Sequence, residues 1–295
     1  MAPRKKTAEV VEETVAKNEV VNNGNWNSTT QPKVPMFYMH VEIEWLEKAL
    51  ATLPNNKELL AEYIASKAPD AASKEEEVEA IGEDAVLSKS INVYPKGQFS
   101  YDPEHDRFYD CFDKKVETPE GLDVVDNVPY YYNYQIRGFF KNSCGLLSRA
   151  NTAGEQNGEK VAESESSKLK AYKKVIDGGI FVFPRRIAIE VPDQYMDDDG
   201  ITMVDTRDEN GNLRIIQRPM RTNGPSGERT AIAASEMIPA GSRMKFTIGF
   251  TSLKFKPAII EWLNYACVHG ISGWRNSGMG ICRWREIKSD YTPFN

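Results

Sequence analysis

A glycine-rich segment near the end of the chain combines residue types that bind phosphates and bases. Residues 270–281 read GISGWRNSGMGI and lie between a predicted helix and the last predicted strand. Glycine lets the backbone approach a ligand closely, and bare backbone N–H groups can cradle a phosphate. An arginine adds positive charge, and an indole ring offers a face on which a base can stack. The predicted contacts are Gly273, Trp274, Arg275, Gly278 and Gly280.

The alternative for this segment is a tight connection between helix and strand that binds no ligand. Glycine content alone does not separate the two interpretations. The spacing matches neither the GxGxxG dinucleotide fingerprint nor a Walker loop ending in Gly-Lys-Ser/Thr, so a nucleotide-dependent enzyme is disfavoured.

A second candidate lies near the start of a helix predicted over residues 133–149. Arg137 and Lys141 are four residues apart and therefore share one helical face. The positive end of the helix dipole also favours anions there. The pair predicts an anion-binding surface, and the alternative is an ordinary amphipathic core helix.

The charge distribution allows a cationic groove in an acidic protein. The net charge of −6 alone argues against general nucleic-acid binding. However, residues 75–126 hold 15 acidic and 5 basic residues, whereas residues 207–285 hold 12 basic and 5 acidic ones. Clustered cations neutralise phosphates independently of sequence, and solvated surface charges are the alternative. The further groove candidates are Lys168, Lys170, Lys173, Lys174, Arg218, Arg221 and Arg229.

The sequence predicts no metal, no cofactor and no placed catalytic group. The four cysteines share no CxxC spacing, and the three histidines complete no zinc motif. The acidic runs at 75–77 and 197–199 lack EF-hand spacing and are interpreted as solvated. No apolar run reaches the length of a membrane span, and the charged first residues do not resemble a secretory signal. We therefore expect a protein of the bacterial host cytoplasm.

Hydrophobic periodicity predicts the elements that position these segments. Residues 1–33 are polar and predict a disordered tail, followed by a single domain over 34–295. An acidic insertion is expected at about 50–133, with helices at 55–66 and 73–87. The core predictions are a strand at 36–45, a helix at 133–149, a basic helix at 168–176, strands at 180–191, 229–237 and 243–253, a helix at 258–268 and a strand at 279–287. This order is an α+β fold with a ferredoxin-like or RRM-like β-α-β-β-α-β core and large insertions.

The two candidate segments, in this order, resemble the RAMP superfamily, and more narrowly the backbone subunits of type III CRISPR effector complexes. The family's early helix opens with a Ser-Leu-Lys/Arg-Gly type motif and a basic residue, resembled here by residues 135–138 and Lys141. Its late glycine-rich loop ends in Gly-aromatic-Gly, resembled by residues 277–280, where Met279 replaces the aromatic residue. A Pro-x-Gly turn into a strand is matched at residues 238–246. The resemblance implies an RRM-like core that binds RNA, in a stand-alone phage relative.

These observations predict a non-catalytic protein that binds RNA or single-stranded nucleic acid, alone or as a homo-oligomer or ribonucleoprotein complex. One alternative is a phage or mobile-element protein that binds a host defence complex or a small nucleotide signal through the acidic insertion. The other is a metal-dependent ribonuclease, for which the sequence offers no placed acid–base pair.

Overall fold

The first predicted strand lies inside the largest sheet, where its alternating residues divide between two faces. In this computed structural model the described residues are 36–54, 91–111, 119–150, 154–156, 159–161, 163–224 and 227–287, without the side chains of 150–162 and 218–232. Met39, Val41, Ile43 and Trp45 are fully buried on one face of the strand. A strand with one buried face requires this alternation, because successive side chains point to opposite sides.

The described residues form mostly strands, of very different lengths, and three α-helices. Their bounds are β1 (Phe37–Trp45), β2 (Ala49–Leu50), β3 (Leu53–Pro54), β4 (Ile91–Val93), β5 (Lys96–Asp102), β6 (Arg107–Asp110), β7 (Asp123–Tyr132), α1 (Asn133–Ala150), β8 (Gly154–Gln156), β9 (Glu159–Val161), α2 (Tyr172–Gly179), β10 (Ile180–Phe183), β11 (Arg186–Glu190), β12 (Gln194–Met196), β13 (Met203–Asp205), β14 (Ile215–Gly224), β15 (Gly227–Ile238), β16 (Arg243–Phe250), α3 (Lys256–His269) and β17 (Cys282–Glu286). The predicted α+β class is confirmed.

The largest sheet has the order β17-β1-β16-β11-β7-β5-β6, and β10 also pairs with β16. Every pairing in this sheet is antiparallel. Strands β5, β6 and β7 come from the region predicted as an acidic insertion, and they extend the sheet beyond β11. A second sheet has the order β14-β15-β4-β3, with β2 also paired to β15.

The helices α1 and α3 cover the apolar face of β1 and its neighbours. Phe140 of α1 and Trp262 of α3 are fully buried, with ring centroids 5.4 Å apart. They belong to one core cluster with Met39, Val41 and Ile43 of β1. This burial places both helices on one side of the sheet. Residues from Phe37 onward belong to one compact unit.

Two predicted elements begin three or more residues later in the structure than the sequence analysis places them. The basic helix predicted at 168–176 begins only at Tyr172, because Ala171 adopts a left-handed conformation with φ 51° that interrupts helical backbone. The last strand begins at Cys282 rather than 279, because the backbone turns through Gly280 with φ 78°. The tail and the helices predicted at 55–66 and 73–87 lie outside the described residues. Among the helices described, none has the length and apolar character needed to cross a membrane.

Candidate nucleic-acid interface

The glycine-rich loop, residues 270–281, contacts α1 directly at Arg275 and approaches the start of the helix through Thr52. With its amide oxygen toward Arg275, Asn142 accepts hydrogen bonds from both terminal guanidinium nitrogens at 3.2 Å. Near the start of the helix, Gln135 Nε2 donates to Thr52 Oγ1 at 3.2 Å. A Cβ built on Gly273 would lie 3.2 Å from the carbonyl oxygens of Leu50 and Ala51 and 3.5 Å from Thr52 Cγ2, so the loop packs closely on residues 50–52. The structure therefore places the loop beside α1, the helix that carries the second candidate pair.

The loop follows an unusual path because its backbone repeatedly enters the left-handed region. Gly270, Trp274, Gly278 and Gly280 have φ values of 81°, 57°, 80° and 78°. A Cβ on Gly270 would lie 2.5 Å from the carbonyl oxygen of Met279, so only glycine fits at that position. Trp274 is the exception among these four residues, because it is not a glycine and a bulky residue rarely adopts the left-handed conformation.

The glycine amides of the loop are already used inside the protein. All four donate to backbone carbonyl oxygens at 2.8–2.9 Å: Gly270 to Ala266, Gly273 to Leu50, Gly278 to Arg275 and Gly280 to Lys48. An amide that donates to a carbonyl is not available to a phosphate. These four glycine amides are therefore not available to a phosphate, phosphate binding by the loop stays a prediction, and Arg275 is the group in the loop whose chemistry suits an anion.

Trp274 contributes to the core as well as to the surface. Its half-buried ring packs with Met279 against a cluster of buried residues, Leu50, Tyr195 and Met237. Only part of the indole is therefore exposed for stacking on a base. Base contact by Trp274 stays a prediction.

Arg137 and Lys141 lie on a different face of α1 from the loop. Lys141 Nζ forms a 2.5 Å ion pair with Asp177 of α2. Asn142 comes five residues after Arg137, and a helix turns by about 100° per residue. The two side chains therefore leave the helix in directions about 140° apart. Gly138 lies between the two faces, is exposed and has open space in front of it. The loop and the basic pair therefore flank one exposed stretch of helix backbone.

The Nε atom of Arg137 is buried and makes no hydrogen bond within the part of the chain that the structure describes. The residue as a whole is half-buried. A buried donor without a partner costs about 1–3 kcal/mol, and more when the group is charged. Because the Nε itself is buried, an anionic ligand would approach this side chain only at its exposed part.

The remaining basic candidates are dispersed. Lys168 pairs with Glu165 at 2.7 Å, while Lys170, Lys173 and Lys174 are exposed before and within the first turn of α2. Three arginines lie on the antiparallel β14–β15 arm, where Arg218 is opposite Ala233, Arg221 opposite Thr230 and Arg229 opposite Thr222. Their side chains fall outside the described part, so their role stays a prediction.

Local electrostatics couple one histidine to the loop. The ring of His269, in the last turn of α3, stacks on Tyr265 with centroids 4.8 Å apart. Burial and the nearby charge of Arg275 lower the pKa of His269. A change in the charge around Arg275 would therefore alter the protonation of His269.

The acidic run at 197–199 is solvated, as the sequence interpretation expects, since Asp198 and Asp199 are exposed and Asp197 is partly exposed. Asp197 and Asp198 form ion pairs of 3.3 and 2.7 Å with Lys48. Hydrogen bonds from Thr202 and from the Ile201 amide lower the pKa of Asp199 to about 2. Among the residues that the structure describes, no group of three or more His, Cys, Asp or Glu could hold a metal ion.

Sequence analysis missed a charged network on the opposite face of the sheet. Glu42 of β1 is buried and lies directly across from Lys245 of β16 and Arg285 of β17. Its carboxylate pairs with Arg285, while Lys245 pairs with Asp106 at 2.5 Å. In the sequence, β1 has acidic residues at alternate positions, and β16 and β17 have basic residues at alternate positions. These patterns become informative only when the pairing register of the three strands is known.

Comparison with known proteins gives weak similarity only. No family model matches the chain, and no curated protein matches it. A chain of a type III-B Cmr-beta complex bound to cognate target RNA matches at 12% identity and TM-score 0.37, over 98% of this chain and 78% of that one. A chain of a type IV-B CRISPR complex matches at 12% identity and TM-score 0.38, over 87% and 92%. Values this low establish neither the family nor the function of the protein.

Proposed function

We propose that this protein is a non-enzymatic, RAMP-type binder of RNA or single-stranded nucleic acid. The sugar-phosphate backbone of the strand would follow the first turns of α1 between Arg137 and Arg275. The same proposal includes assembly into an oligomer or a ribonucleoprotein complex. It also includes an acidic insertion within the domain and a cytoplasmic location.

The proposal includes a ferredoxin-like or RRM-like core. Along the chain, β1, α1, β10 with β11, β16, α3 and β17 follow the order strand, helix, strand, strand, helix, strand. In the sheet these strands are neighbours in the order β17-β1-β16, with β10 and β11 on the far side of β16. The residues between β1 and α1, and those between β11 and β16, would then be insertions into this core.

The observation that carries the binding proposal is half-buried Arg137, whose Nε has no hydrogen-bond partner among the described residues. A guanidinium has five N–H donors and no acceptor, so it suits a phosphate oxygen. It lies beside exposed Gly138, where the helix backbone is open to an extended ligand. On the other side of that opening, Arg275 is held in place by Asn142.

The test is fluorescence anisotropy with a labelled, mixed-sequence single-stranded RNA, and the matching DNA, at about 50 mM and about 200 mM salt. We expect binding at the lower salt concentration that weakens steeply at the higher one. Arg137→Met retains the apolar stem of the side chain and removes the charge, so affinity should fall about tenfold. The matched control is Arg149→Met, which removes an exposed arginine from the last turn of the same helix. Absence of binding to every RNA and DNA pool would refute the proposal.

A further inference from the structure

Lys48 lies directly beside the glycine-rich loop, in the connection between β1 and β2. Its carbonyl oxygen accepts a hydrogen bond from the Gly280 amide at 2.8 Å. The amides of the two preceding residues, Leu46 and Glu47, donate to Ile281 O at 2.9 and 3.2 Å. Backbone contacts therefore fix this lysine to the end of the loop.

The ammonium group of Lys48 lies in a partly buried site with acidic and aromatic partners. The side chain is only 13% exposed, and its Nζ is 3.3 Å from Asp197 Oδ1 and 2.7 Å from Asp198 Oδ1. The same atom lies 5.6 Å from the centre of the Tyr195 ring. Burial alone would lower the pKa of Lys48, but its hydrogen bonds to Asp198 and Asp197 outweigh that effect and raise it. The site therefore stabilises a cation that binds two anionic oxygens.

The two carboxylates are much more exposed than the lysine that they bind. The side chain of Asp198 is 85% exposed and that of Asp197 is 44% exposed. Exposed carboxylates gain little from an ion pair, because water solvates them well when they separate from it. A phosphate presents the same kind of anionic oxygen to an ammonium group. It could therefore replace the carboxylates on Lys48 at little cost.

The hairpin that carries the two carboxylates is a small unit placed against the loop. Its strands β12 and β13 form a separate two-stranded sheet, an arrangement that is marginally stable by itself. Tyr195 of β12 and Val204 of β13 attach it to the cluster that also holds Trp274 and Met279 of the loop. The hairpin therefore brings negative charge to the edge of the loop, where it would compete with an anionic ligand.

We propose that Lys48 is a phosphate-binding residue of the nucleic-acid interface, and that Asp197 and Asp198 occupy its ammonium group in the free protein. A phosphate of the bound strand takes the place of the two carboxylates, which turn outward into water. The hairpin is thus an internal competitor, and it lowers the apparent affinity by the fraction of molecules in which Lys48 is available. This inference rests on the proposed function, since it places Lys48 in the same interface as Arg275.

The first experiment measures RNA affinity by anisotropy in variants of the full chain. Asp197→Asn with Asp198→Asn removes both competing charges, so we expect RNA binding about tenfold tighter than in the wild type. The matched control, Asp193→Asn with Asp205→Asn, removes the same charge from two exposed residues of the same hairpin and should change affinity far less. Lys48→Met retains the apolar stem of the side chain. It should weaken binding, and it should abolish the gain when it is added to the first pair.

The second experiment follows Lys48 itself by lysine footprinting. The proteins are treated briefly with an acetylating ester, with and without RNA, and the modified lysines are quantified by mass spectrometry. Acetylation of Lys48 should be faster in Asp197→Asn with Asp198→Asn than in the wild type, and bound RNA should suppress it again. Exposed Lys254 reports the general reactivity of each sample.

Equal affinity gains in the two double variants would overturn the proposal, because net charge and not the contact with Lys48 would then determine binding. So would RNA binding that leaves acetylation of Lys48 unchanged. A lower melting temperature with unchanged affinity would make Lys48 a structural anchor of the hairpin only. If the wild type binds RNA and the changes at 197 and 198 have no effect, this inference fails alone. If no variant binds any RNA or DNA pool, the proposed function fails with it.

Discussion

The side chains of Asn142 and Arg275 join the middle of α1 to the tip of the glycine-rich loop. Both terminal nitrogens of the guanidinium donate to one amide oxygen at 3.2 Å. This contact fixes the direction of the arginine but does not neutralise it, because an amide carries no charge. A guanidinium has five N–H donors, so it could still bind a phosphate while bonded to Asn142.

Arg275→Ala should weaken RNA binding without loss of folding. We expect about a tenfold fall in affinity, because a charge-assisted phosphate contact is lost, and a salt-dependence slope smaller by about one. Both quantities come from anisotropy titrations at several salt concentrations. The control is Arg214→Ala, which removes an exposed arginine bonded to the Asp205 carbonyl. An equal loss in both variants would mean that net charge, and not this position, determines binding.

The glycines of the loop should differ sharply in their tolerance of alanine. At Gly280 a Cβ would lie 2.6 Å from the Ile271 carbonyl oxygen, whereas nothing lies within 4 Å at Gly278. Both have positive φ, which costs alanine about 1–2 kcal/mol. Gly280→Ala should therefore lower the free energy of unfolding by about 3 kcal/mol or more, and Gly278→Ala by about 1 kcal/mol. Urea denaturation of both variants measures the difference, and equal losses would contradict the packing argument.

The sequence allowed the main strands and helices of the core to be predicted, because one-sided burial leaves a periodic pattern. The alternation in β1 and the helical spacing that ends at Gly270 are examples. The start of α2 was not predictable, since nothing in the local sequence marks Ala171 as left-handed. The internal use of the glycine amides and the pairing of Glu42 with Arg285 depend on which distant segments meet. Local patterns do not contain that information.

RNA affinity should increase as the pH falls from about 7.5 to about 5.5, across the ordinary histidine pKa of about 6.5. Burial and Arg275 lower the pKa of His269 in the free protein. A phosphate on Arg275 would offset that charge and raise the pKa of His269, so the complex would take up a proton as it forms. Proton uptake on binding means tighter binding at lower pH.

His269→Asn should flatten this pH dependence of affinity. His40→Asn is the control. His40 lies in β1, and its pKa is lowered by burial and by the charge of Arg107 rather than by Arg275. For both histidines a lowered folded-state pKa means that stability is complete above about pH 6.5 and decreases below it. Unfolding must therefore be measured at each pH to confirm that the protein remains folded. A pH slope that survives in His269→Asn would refute the coupling.

The ion pair between Asp110 and Arg186 should behave as a buried unit that joins the edge strand β6 to β11 of the same sheet. Arg186 Nε donates to Asp110 Oδ2 at 2.7 Å, and both side chains are largely buried. The guanidinium carbon also lies 6.0 and 5.6 Å from the ring centroids of Phe99 and Tyr130. Asp110→Ala leaves a cation without its counter-ion in this aromatic site, so the free energy of unfolding should fall by about 3 kcal/mol.

The double variant Asp110→Ala with Arg186→Met tests whether that loss comes from the stranded charge. Methionine retains apolar contact with the two rings and needs no counter-ion, so the double variant should recover more than half of the lost stability. Urea denaturation of the wild type, both single variants and the double variant completes the thermodynamic cycle. Purely additive losses would show that the two side chains act independently. In that case β6 would be held by its strand pairing with β5 alone.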